Sequence, residues 1–169
     1  MSVFRNPLDD HVRGAGIRDV APDGIEPFQS EFLSEATRLT EVRHRLREWL
    51  ERGGIGSDQI YDVLLAVDEA CTNAVEHGYR HGPGIVRLRG AISGSDLYLS
   101  IVDRGSWEPA GEPANPLRGR GLMMMRALVT DVDISSGPEG TRVDLRAEIR
   151  SAHQDSAACG DGDRGADRW

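Results

Sequence analysis

Ser57–His77 reads SDQIYDVLLAVDEACTNAVEH, and the recurrence of its apolar residues decides what the rest of the chain must do. At ~100° per residue, Ile60, Val63, Leu64, Val67, Cys71 and Ala74 fall on one stripe, which predicts an amphipathic helix. Glu69 and Asn73 lie on the opposite side and His77 on its flank, so an acid, an amide and an imidazole follow one another at one-turn spacing. A solvated helix face accounts for each of the three taken alone. Yet Leu65 and Ala66 bracket that same polar face, and a face that meets only water rarely carries a leucine. The helix is therefore expected to be covered on both sides, by a core on one and by a pocket on the other.

Upstream, Phe28, Ser30 and Phe32 share one parity, as in a short strand. Ser34 stands where it can cap a helix that carries Leu39, Val42, Leu46 and Leu50 on one stripe and ends at Gly53-Gly54. Downstream, 85–92 and 96–103 read as two strands joined by a turn at SGSD, and 104–118 carry Gly, Pro and Asn as an irregular loop. GRGLMMMRAL opens a third helix, and DVDIS and TRVDLRAEI form a second hairpin around GPEG. Helices combined with antiparallel hairpins predict an α+β two-layer α/β sandwich, a mixed, mostly antiparallel sheet with helices on one face. Residues 28–149 form the domain, 1–27 are expected to be a flexible extension, and the polar, acidic, Gly-rich 150–169 a disordered tail.

The 169 residues suffice for one domain, and the 5% aromatic content leaves its core to aliphatic side chains. A net charge of −8 argues against direct nucleic-acid binding and against an anionic membrane surface. No apolar run is long enough to span a bilayer, and the N-terminus has no signal-like stretch. Cys71 and Cys159 make no disulfide framework, so a reducing, cytoplasmic location is expected.

Two polar residues stand on faces that should pack. Leu97, Leu99 and Ile101 share one side of their strand and Asp103 continues it; Thr141 has the parity of Val143, Leu145, Ala147 and Ile149, while Arg142, Asp144, Arg146 and Glu148 point out. Burying a carboxylate without a partner is costly. Asp103 therefore either closes a wet turn before Gly105 or meets a dedicated donor, such as the exocyclic amine of a heterocycle. Gly119, Arg120 and Gly121 stand directly before LMMMRAL, with Arg118 beside them. Glycines and a helix N-terminus suit an anion, although a plain cap explains a lone GxG as well, and the strand that a dinucleotide-binding motif requires is missing. Met123–Met125 read as gap-filling core. His77 and His81 have metal-like spacing, but Gly78 and Gly82 interrupt the helix and no third ligand is in register.

In this order EACTNAVEH, DRG at a strand end, GRGL opening a helix and GTRV opening a strand resemble the motifs of the GHKL (histidine kinase-like) ATPase superfamily. Within it the chain is similar to the bacterial anti-sigma factor serine/threonine kinases of the RsbW and SpoIIAB type, over about residues 28–149. The resemblance implies the Bergerat ATP-binding fold, with ATP and Mg²⁺ bound. It makes Asn73 the Mg²⁺ ligand, Glu69 the general base, and Asp103 and Thr141 the adenine partners, with Gly105 letting the base approach. It puts Arg118, Gly119, Arg120, Gly121 and Leu122 at the phosphate side, and His77 in support of the helix end or lid. The implied partners are a sigma factor, a STAS-type anti-anti-sigma factor and a second copy of the chain, paired through the strand near 28–33. An ATP-binding regulator without kinase activity and a detached histidine-kinase-type catalytic domain are the alternatives. One departure is DRGSW, where Trp107 replaces a glycine common in the family.

Overall fold

The structure, a computed structural model, describes Leu8 and residues 25–77, 84–105, 120–137 and 139–150. Its elements are β1 (Phe28–Leu33), α1 (Ala36–Arg52), α2 (Ser57–His77), β2 (Ile85–Ser93), β3 (Asp96–Asp103), α3 (Arg120–Leu128), β4 (Asp131–Gly137) and β5 (Gly140–Glu148). The strands make one sheet in the order β1-β2-β3-β5-β4, with every neighbouring pair antiparallel. The three helices pack on one face of it, so the α+β two-layer sandwich expected from the sequence is what forms.

Period-two burial explains why the strands sit as they do. Val86, Leu88 and Ile92 of β2, Leu97, Leu99 and Ile101 of β3, and Val143, Leu145 and Ala147 of β5 are buried under the helices. Against them α2 sets Ile60, Val63, Leu64 and Val67, and α1 sets Leu46 and Leu50. Each fully buried aliphatic side chain of this kind contributes about 1.5–3 kcal/mol of transfer free energy. A one-residue slip of any central strand would turn its apolar set outward, so register and core fix one another.

Three of the described aromatic residues, Phe28, Phe32 and Trp49, lie at the β1 end. Trp49 lies buried, donates its indole N–H to the Glu26 carbonyl at 2.8 Å, and meets Phe28 with ring centroids 5.7 Å apart. A Cβ at Gly90 would stand 3.1 Å from the Trp49 ring and 2.9 Å from Leu99, so the absent side chain is what lets the indole lie against the sheet. α1 ends as predicted, with the Gly53 N–H bonded to the Trp49 carbonyl and Gly54 at φ 71°.

Ser34 departs from its expected role. The residue before α1 is Glu35, and no side chain caps the helix. The Ser34 hydroxyl instead accepts the Gly84 N–H at 2.8 Å, while the Ser34 N–H donates to the Gly84 carbonyl, tying the end of β1 to the approach to β2. Gln59 makes a second long-range clamp: its amide donates to the Glu148 carbonyl at 2.6 Å and accepts the Arg150 N–H at 2.8 Å, which pins the start of α2 to the end of β5. Among the described residues no helix is long and apolar enough to cross a membrane.

Candidate functional site

β3 and β5 run side by side, and their register puts Asp103 directly opposite Thr141, both on the helix-facing side. Asp103 is buried, and its Oδ1 accepts the Gly105 N–H at 2.7 Å. The backbone N–H of Thr141 is a second donor; burial pushes the carboxyl pKa up, and these two N–H groups oppose that rise. No cation pairs with Asp103 among the described residues. Gly140 makes the arrangement possible. It sits at φ 126°, and a Cβ there would run into the Asp103 carbonyl and the Arg104 Cα. Sequence reasoning gave Gly140 no role; its place directly before Thr141 in GTRV was the only available signal.

Thr141 carries the most informative atom of the site. Its Oγ1 is buried and has no hydrogen-bond partner, alone in this respect among the buried side-chain polar atoms of the described residues. Leaving such a group unsatisfied costs about 1–3 kcal/mol. A buried hydroxyl without a partner, next to a carboxylate held only by backbone donors, is a place prepared for a ligand with complementary polar edges.

The second part of the site lies on α2. Ala66, Ala70, Cys71 and Ala74 are buried, while Glu69 and Asn73 remain half-buried on the other side. The cover expected over the polar face is α3. Its first turn comes so close to α2 that a Cβ on Gly121 would collide with the Glu69 carboxylate. A side chain at Gly121 would therefore displace the Glu69 carboxylate from its place by the positive end of the α3 dipole. Asp68, the neighbouring acid, is engaged elsewhere: its carboxylate meets Arg43 of α1 at 3.0 Å. Cys71 is buried with its thiol pushed up to about 12, which leaves it inert as a nucleophile.

The structure thus places Glu69 and Asn73 together on α2, Asp103, Gly105 and Thr141 together at the strand ends, and Gly121 against Glu69. Leu122 is partly buried against the core. His77 ends α2 and Arg120 begins α3, while their side chains, together with Arg118 and Gly119, lie outside the described residues, as do Trp107 and His81. No group of three or more His, Cys, Asp or Glu is placed to hold a metal among the described residues.

The profile of the histidine kinase-like ATPase domain matches residues 32–147. The anti-sigma F factor of Thermoanaerobacter sp. (strain X514) is 30% identical over 135 residues, covering 73% of this chain and 94% of that protein. The anti-sigma F factor of Clostridium kluyveri is 26% identical over 132 residues, covering 72% of this chain and 93% of that protein. Among solved structures, the RsbU and RsbW domains of a Mycobacterium tuberculosis protein superpose with a TM-score of 0.60 at 30% identity, covering 73% of this chain and 32% of that one.

Proposed function

Since this chain belongs to the histidine kinase-like ATPase family, in the branch of the anti-sigma factors, we propose that it is an ATP-dependent anti-sigma kinase. It sequesters a sigma factor and phosphorylates a serine or threonine of a STAS-type anti-anti-sigma partner. The observation that carries the nucleotide reading is the unpartnered Thr141 hydroxyl beside the backbone-held Asp103 carboxylate. Adenine presents an exocyclic amine that donates and ring nitrogens that accept, and it matches this pair of an acceptor and a hydroxyl.

The residues also fit Mg²⁺. This ion takes oxygen ligands, keeps several waters and is commonly held by one or two side chains plus substrate phosphates, so a dedicated acidic cluster is not required. Asn73 offers the amide oxygen, and the ion would supply charge neutralisation across the phosphates. In this reading Glu69 takes the proton of the incoming hydroxyl; its nearness to Gly121 at the start of α3 supports the assignment. Because phosphoryl transfer rests mostly on positioning and charge, the close approach of α2 and α3 is the part of the fold on which turnover depends. The β1 edge of the sheet is the surface proposed for pairing with a second copy.

The test is a transfer assay with a STAS-type partner and ATP, read as phosphate on the partner by mass, together with titrations of the unmodified and phosphorylated partner. Transfer, followed by loss of affinity for the phosphorylated partner, is expected, since added phosphate meets an acidic kinase. ATP binding with neither transfer nor any difference in affinity would leave an ATP-binding regulator without kinase activity.

A further inference from the structure

The face of the sheet away from the helices is not an ordinary wet face. Ser100 and Asp144 both point to it, yet they are 3% and 5% exposed. They lie in one cross-strand row with Arg89, and the adjacent row joins Arg87, Val102 and Arg142. Arg87 is held by Glu31 at 2.7 Å and Arg142 by Asp144 at 2.8 Å, whereas Arg89 makes no ion pair among the described residues. Leu8 is 6% exposed and stands outside the helix-side core; with these arginines, Ser100 and Val102 it lines a cavity of about 240 Å³. A leucine well upstream of β1 is thus buried by the outer face. In the sequence it is followed directly by Asp9 and Asp10.

We propose that the outer sheet face is a docking site for the chain's own N-terminal segment, with Leu8 as its apolar anchor and the Asp9-Asp10 pair as the counter-charge for Arg89. Two features single out this occupant. Leu8 is already seated on the face. The site combines one apolar floor residue, Val102, with cations, which suits a leucine followed by acids.

The test uses the full chain and the rate at which thermolysin cuts before Val12, which follows the population of the undocked segment when docking is fast. Leu8→Glu and Arg89→Glu are each expected to raise that rate, the former by roughly tenfold or more, as loss of one buried leucine implies. Unchanged thermal unfolding would show that the domain itself is intact. Adding Asp9→Arg and Asp10→Arg to Arg89→Glu is expected to restore slow cleavage by reversing the charge pair. Equal cleavage in the wild type and all variants would overturn the proposal. Protection that grows with protein concentration would overturn it too, because a second copy would then supply the segment.

Discussion

Asp103 and Asp144 are each 5% exposed and stand on adjacent strands of one sheet, but on opposite faces and in opposite chemical situations. Asp144 is paired with a cation: the Arg142 Nε reaches its two oxygens at 3.0 and 2.8 Å. Asp103 has only the backbone N–H groups of Gly105 and Thr141, and its nearest side-chain neighbour in register, Thr141, has a hydroxyl with nothing to bond. A buried acid neutralised by a guanidinium completes its own structure. A buried acid held by backbone donors beside an orphaned hydroxyl is left incomplete until something else arrives. The contrast separates a structural carboxylate from a binding one more clearly than burial does, because burial is the same for both.

Glu69 extends the comparison to a third acid, half-buried and set against the α3 N-terminus, and it gives the largest expected effect. Glu69→Gln should slow phosphate transfer by about 10²-fold, the low end for a general base, with ATP affinity nearly unchanged. A wild-type rate in single-turnover assays would remove Glu69 from the chemistry. Asp103→Asn should weaken ATP binding by about 10–100-fold, the equivalent of one hydrogen bond to a charged group.

Its effect on stability should run the other way. The folded carboxyl holds its proton to a higher pH than the unfolded one, which titrates near 3.8. The ligand-free fold therefore loses stability as pH rises through the interval above that value and does not recover it at higher pH. An uncharged asparagine removes the Asp103 share of this slope, so the stability of Asp103→Asn should fall less steeply with pH than that of the wild type, the remainder including Asp68, whose carboxyl burial also pushes up. ATP affinity of the wild type should rise over the same interval, as the carboxyl ionises.

Asp144→Asn tests the other half of the comparison. It removes the Asp144 charge from Arg142, whose side chain is 29% exposed, and should destabilise the fold by ~1–3 kcal/mol in denaturant titrations while leaving ATP affinity intact. The smallest effect is expected from Thr141→Val. It should cost roughly 0.5–1.5 kcal/mol of ATP affinity and leave the ligand-free fold as stable or slightly more so, since it removes a buried hydroxyl that has no partner. A clear loss of stability in that variant would mean the hydroxyl serves the fold, and the contrast between the two faces would fail.

The helix stripe of α2, the strand parities and the buried positions of Asp103 and Thr141 could be read in the sequence because they are periodic, and periodicity is local. What could not be read depends on residues far apart. Ser34 looked like a cap because its neighbours are helical, yet its hydroxyl is taken by Gly84, across the sheet. Asp144 points away from the helices as its parity requires, but it is buried; its partner Arg142 is only two residues away, whereas its cross-strand neighbours Ser100 and Asp133 come from other parts of the chain. Gly90 and Gly140 gave no sign of what they accommodate, which is the Trp49 ring in one case and the end of β3 in the other. The Gln59 clamp was equally silent, since it joins the first turn of α2 to the last residues of β5.

The most direct measurement is calorimetric titration of Mg²⁺-ATP, and of Mg²⁺-GTP as control, into the wild type, Asp103→Asn and Asp144→Asn, with stability measured on the same samples. The account predicts ATP binding to the wild type and to Asp144→Asn, binding weakened by about 10–100-fold in Asp103→Asn, and little affinity for GTP, which presents a carbonyl where adenine has its amine. ATP binding equal in all three proteins, or absent from the wild type, would contradict it.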